Sequence, residues 1–215
     1  MRAALPFDPA EAVRHVSGRD KRLARLIENV GPLGLRVYRQ NPFEALSESI
    51  VYQQLAGRAA AAIFGRMVRL FHPRRFPTPE DLLGMPEERL RGAGLSRGKI
   101  AALRDLAAKT IDGTVPPMRE LRRLSDDEIV ERLCAVRGVG RWTAEMLLIF
   151  RLGRPDVLPA TDYGVRKGFA KVYGRKELPT PKELLAAGEK WRPYRTVASW
   201  YFWRALETPA RKTGG

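Results

Sequence analysis

The hydrophobic positions of this chain recur at helical rather than strand spacing. In "PFEALSESIVYQQLAGRAAAAIFGRMVRLF" they follow steps of three and four residues on both sides of Gly57, which predicts two helices or one bent pair. "TPEDLL" opens with a threonine cap at Thr78, a proline at the first helical position and an acid at Asp81. "SDDEIVERLCAV" places Ser125 and Glu128 at the spacing of a capping box, and "TPKELLAAGEKW" repeats the device with Thr180 and Glu183. Alternating strand patterns are scarce, and residues 1–40 read as helices and turns. Short Gly/Pro stretches such as "NVGPLG", "HPRRFPTP" and "DGTVPPM" separate the pieces, with no linker, low-complexity tract or fixed repeat. The expectation is an all-α fold of about ten to twelve helices.

Composition narrows the picture. A length of 215 residues fits one large domain or two small lobes, and 44% hydrophobic residues suffice for a core. The formal net charge of +15 calls for a polyanionic partner: nucleic acid first, an acidic membrane surface second. The membrane reading is the weaker, because the cations spread through every helix instead of gathering on one amphipathic face. No apolar run is long enough to span a bilayer, and the N-terminus lacks an apolar signal core. The single cysteine, Cys134, rules out internal disulfides and four-cysteine clusters, and His15 and His72 alone make no metal site. A cytoplasmic protein is the expectation.

The most informative stretch is "LCAVRGVGRWTAEMLLIF". One helix ends near Ala135 and another begins near Arg141. Between them Gly138 and Gly140 permit positive φ and let a ligand approach bare backbone. A helix N-terminus beside a glycine turn suits a phosphate, and Arg137 and Arg141 add charge there. The plainer reading is a tight corner between two helices with glycine caps. Further on, "VLPATDYGVRKG" carries one acid, Asp162, which by residue type alone reads as the N-cap of a following helix.

Together these segments resemble a known family, the DNA glycosylases of the helix-hairpin-helix superfamily. "LCAVRGVGRWTAEMLLIF" resembles the hairpin itself, and "VLPATDYGVRKG" the segment with the catalytic aspartate. "YQQLAGRAAAAI" and "GLSRGKIAALRDLA" match upstream stretches. "WRPYRTVASWYFWRAL" resembles the last helix of the alkylbase branch, the bacterial 3-methyladenine DNA glycosylase II group. The matches run over about residues 43–206.

The resemblance implies one glycosylase domain of two helical lobes flanking a cleft, a middle lobe of about 43–155 and another from 1–42 plus 156–215. The hairpin would sit at their border, Asp162 at the cleft and Trp203 on the opposing wall. Asp162 would be catalytic, stabilising positive charge on the sugar or activating water. Trp142, Trp203, Met146, Tyr163 and Gln54 would meet the flipped base, Trp200 being a weaker candidate. Tryptophan stands at 142 where strand-cutting relatives carry a Schiff-base lysine, so a monofunctional enzyme without lyase activity is expected. Met146 replaces a tyrosine of better-known relatives, which leaves the lesion range open. Leu55 would be the wedge that fills the gap in the duplex.

Phosphate contacts would come from Gly138, Gly140, Arg141 and Thr143, with Arg166 and Lys167 either contacts or a solvated helix face. No cofactor is required. A monovalent cation (Na or K) would be held by the main-chain carbonyls of Cys134, Val136 and Val139. The partner would be double-stranded DNA with alkylated bases, with no membrane partner expected, and the resemblance implies a monomer. The product would be an abasic site, the first intermediate of base excision repair. Two rivals stand beside this reading. A non-catalytic helix-hairpin-helix DNA-binding module explains the charge and the glycines. A glycosylase for other damaged bases would need acid assistance, for which Glu145 is the one candidate.

Overall fold

The computed structural model describes residues 2–207, and within them the chain forms two compact units, 2–39 with 148–207, and 40–147. The first unit begins with β1 (Arg2–Ala3), α1 (Pro9–Arg19), α2 (Lys21–Val30) and β2 (Val37–Tyr38). β1 pairs antiparallel with β2, Arg2 opposite Tyr38. Residues 1–40 are therefore not helices and turns alone. The strands are two residues each, too short for an alternating pattern to register in the sequence.

The second unit is helical throughout its regular elements: α3 (Pro42–Tyr52), α4 (Gly57–Arg69), α5 (Pro79–Gly84), α6 (Glu87–Gly92), α7 (Arg97–Ile111), α8 (Met118–Leu121), α9 (Asp126–Cys134) and α10 (Arg141–Leu147). The break at Gly57 is thus two helices. α7 runs through the middle of the core, its Ile100, Leu103 and Leu106 buried against α3 and α5. The caps form as their residue types demand. Thr78 with Asp81, and Ser125 with Glu128, make reciprocal capping boxes.

α10 runs on without a break into a π-helical turn, Leu148–Leu152, with which the first unit resumes. α11 (Tyr163–Tyr173), α12 (Pro181–Gly188), a 3-10 turn (Glu189–Trp191) and α13 (Arg195–Glu207) complete it. Its core gathers Leu23, Val165, Leu184, Trp191, Tyr201 and Phe202, all fully buried. The buried Asp20 staples this core. It caps α2 by accepting from the amides of Arg22 and Leu23, and also accepts from the Trp191 indole (3.0 Å), the Lys190 ammonium (2.8 Å) and the Tyr173 hydroxyl. Burial alone would raise its pKa; these donors outweigh that and hold the carboxyl below its usual range.

α11 and α13 pack closely because α11 carries glycines four residues apart on one face. A β-carbon at Gly168 would lie 2.0 Å from the Phe202 carbonyl oxygen, so only glycine admits the α13 backbone there. This contact brings the start of α11 beside the middle of α13. Thirteen α-helices are present among the described residues, slightly more than the pattern predicts, the surplus being short pieces such as the four-residue α8. No described helix is long and apolar enough to cross a membrane.

Candidate active site

In the first unit the carboxylate singled out in the sequence sits at the head of α11. Asp162 is its N-cap, with Oδ1 accepting from the Val165 amide at 2.7 Å. The same oxygen accepts from the Trp203 indole N–H at 2.9 Å. The cap and the indole thus share one carboxylate oxygen, and two donors on it fix the plane of the carboxylate. Trp203 is not across from Asp162, as the sequence reading has it, but bonded to it in the same unit. The reason is the close α11–α13 contact, which the two glycines permit. Gly164 completes the arrangement: a β-carbon there would meet Trp203 Cδ1 at 2.8 Å and Asp162 Oδ1 at 3.1 Å.

Phe150 stacks on Trp203, with ring centroids 5.7 Å apart. The sequence reading misses it, because it lies in the π-helical turn, where the helical period that sorts faces fails. Trp200, three residues before Trp203, has different company. It packs on Gly34, at 3.1 Å from a β-carbon there, and under Arg204. Tyr163 is 63% exposed beside Asp162, with the Lys167 ammonium over its ring. Of the two cations placed near the phosphates, Arg166 donates to the Pro179 carbonyl (2.7 Å) and so takes part in the fold, whereas Lys167 lies on the exposed face.

In the second unit the hairpin lies between α9 and α10. Gly138 is at φ 77°, the positive value that the turn needs. The Val139 amide closes the turn on the Val136 carbonyl (3.0 Å). Arg137 and Gly140 are exposed, whereas Thr143 is buried. Arg141 pairs with the buried Glu145 at 3.0 Å, so the one acid candidate of the hairpin helix is engaged in an ion pair.

Asp105 of α7, unremarked in the sequence, holds the hairpin by accepting from the Arg137 amide at 2.7 Å. Burial would raise its pKa, but that amide and the Lys109 ammonium outweigh it and keep the carboxyl below its ordinary value. Trp142 is 45% exposed and Met146 half-buried. Gln54 and Leu55 lie in the turn between α3 and α4, Leu55 38% exposed and Gln54 at φ 57°. An exposed leucine at a strained turn is not a core residue.

For the cation, the hydrogen bonds that close α9 go to the carbonyls of Glu131, Arg132 and Leu133. The carbonyl of Cys134 is the next along the chain, at the mouth of the turn. Neutral carbonyl donors of this kind suit a monovalent ion. Among the described residues no group of three or more His, Cys, Asp or Glu side chains is placed for a metal.

A predominantly helical fold with a glycine hairpin between α9 and α10 defines a helix-hairpin-helix protein. The chain belongs to the HhH-GPD superfamily of base excision DNA repair proteins, whose sequence model matches residues 48–193. It is 41% identical over 193 residues to DNA-3-methyladenine glycosylase 1 of Schizosaccharomyces pombe, covering 88% of this chain and 84% of that one. Among solved structures it is similar to the 3-methyladenine DNA glycosylase of that organism in complex with abasic DNA, with TM-score 0.81 and 40% identity over 90% of this chain and 95% of that one. A DNA-3-methyladenine glycosidase of Bacillus halodurans aligns at TM-score 0.85 and 38% identity, over 97% of this chain and 94% of that one.

Proposed function

We propose that the protein is a monofunctional DNA glycosylase that releases alkylated purines of the 3-methyladenine and 7-methylguanine type from duplex DNA. The observation that carries this is the carboxylate of Asp162, held by the Trp203 indole, with Phe150 stacked on that tryptophan. N-alkylated purines are cationic and leave without a general acid. The C1′–N bond breaks with its electron pair going to the base, and positive charge grows on the sugar. A fixed carboxylate stabilises that charge more in the transition state than in the ground state. Water adds to C1′ and gives up its proton, leaving an abasic site. Aromatic faces favour the flat cationic base by about 0.5–2 kcal/mol per contact. That contribution helps offset the few kcal/mol, roughly, of unstacking a base.

The remaining assignments rest on the resemblance and on exposure. Trp142, Met146, Tyr163 and Gln54 meet the base, and Leu55 enters the duplex. Phosphates meet the amides of Gly138, Gly140 and Thr143 and the side chain of Arg141. The carbonyls of Cys134, Val136 and Val139 would hold a monovalent cation, which supplies positive charge beside the phosphate and no chemistry on the base. Trp142 has no amine, so no Schiff base forms and no strand is cut. The protein acts in the cytoplasm as a monomer.

The test is release of free methylated base from methylated duplex by the wild type and by Asp162→Asn, with DNA affinity measured in parallel. Loss of about a hundredfold or more in release with affinity retained supports the reading. Equal release by both proteins, or DNA binding without release by either, rejects it.

A further inference from the structure

The turn between α3 and α4 is held more firmly than an exposed loop requires. Gln54 has a left-handed backbone, which residues other than glycine keep only where the surroundings enforce it. Lys99, in the first turn of α7, meets the backbone on the near side of that residue. Its ammonium donates to the carbonyls of Val51 (2.5 Å) and Gln53 (3.0 Å) as the chain leaves α3, while the Tyr52 carbonyl between them accepts from the Leu55 amide (3.3 Å). Burial pulls the Lys99 pKa below its ordinary value.

The side chain of Gln53 then leaves the turn. Its Nε2 donates to the Gly138 carbonyl at 2.8 Å, tying the turn to the tip of the hairpin 85 positions away in sequence. Asp105, on the same helix as Lys99, grips the adjoining hairpin amide of Arg137. One helix thus fixes both loops, and one glutamine links them.

We propose that Lys99 and Gln53 are positioning residues that hold the wedge turn in register with the glycine hairpin. Leu55 then enters the duplex at a fixed offset from the phosphate that the hairpin grips. Lysine capping of a helix end would account for Lys99 alone. It leaves the Gln53–Gly138 bond unexplained, since an exposed amide has water available instead. The proposal rests on the glycosylase reading only for the roles of the wedge and the hairpin.

Gln53→Leu and Lys99→Met, with Lys99→Arg as the conservative control, are compared in single-turnover release of 7-methylguanine. One duplex pairs the lesion with cytosine; the other leaves it opposite an abasic position, where little unpairing is needed. The variants are expected to lose about tenfold on the paired duplex and at most about twofold on the unpaired one, since only the first depends on the wedge. Lys99→Arg stays near the wild type. Equal losses on the two duplexes, or no loss on the paired one, overturn the proposal. Gln53→Leu decides the matter if Lys99→Met does not fold.

A second readout uses no base release: the fluorescence of 2-aminopurine placed opposite an abasic site, which reports wedge insertion on binding. If the wild type gives this signal but releases no base, and the variants lose the signal, the register stands while the catalytic reading falls. A signal kept by both variants overturns the proposal.

Discussion

At the scale of single residues, the decisive pair is Asp162 and Trp203. The indole N–H reaches the same carboxylate oxygen that caps α11, so the tryptophan both orients the acid and offers a ring beside it. The two roles separate in Trp203→Phe, which keeps an aromatic face and deletes the donor. We expect base release to fall about tenfold, with KM and DNA affinity little changed, because one hydrogen bond to a charged group is lost while stacking remains. Trp203→Ala should lower both base release and DNA affinity. Steady-state kinetics on methylated duplex checks this; a Phe variant equal to wild type would show that the indole donor is idle. Residue type alone made Asp162 legible as the cap of α11, which it is; its candidacy as the catalytic acid came from the resemblance carried by "VLPATDYGVRKG". Phe150 was not legible, since it lies in a π turn and shares no period with its neighbours.

At the scale of elements, the site depends on how closely α11 and α13 approach. The signal was present in "YGVRKGFA", two glycines on one helical face, but a glycine pair says nothing of its partner until the structure supplies α13. Gly168→Ala should destabilise the protein by about 1–3 kcal/mol, because its neighbour is backbone and cannot step aside. Gly164→Ala should cost less stability and more activity, since its neighbours are the Trp203 and Asp162 side chains. Urea unfolding beside base-release rates separates the two. An equal stability loss in both variants would mean that α13 moves as a whole. The helix starts were legible because Thr78, Ser125 and Thr180 act on amides three residues away. The hairpin's hold on Asp105 and the staple at Asp20 were not, for each joins residues 32 or more positions apart.

Asp20 also predicts a dependence on pH. Its folded pKa lies below the unfolded value, so its contribution is complete above that value and is lost as pH falls through the folded one. Between about pH 5 and about pH 3 the wild type should lose more stability than Asp20→Asn, which keeps a capping oxygen and does not titrate. Parallel slopes for the two proteins would remove Asp20 from the acid response.

At the scale of the whole molecule, the charge of +15 makes DNA binding strongly dependent on salt, and that alone does not locate the contacts. The hairpin offers a sharper measurement. Arg137 is exposed at its tip, while Arg141 shares its charge with Glu145. Each phosphate contact removed flattens the plot of log affinity against log salt by about one unit. Arg137→Ala should therefore flatten the slope by about one and Arg141→Ala by less, since the second also frees a buried carboxylate. Asp162→Asn should leave the slope as it is, because a carboxylate proposed to face the sugar makes no phosphate contact and releases no counterion. If both arginine variants keep the full slope, the hairpin side chains lie outside the phosphate contacts, and the grip there belongs to the backbone amides alone.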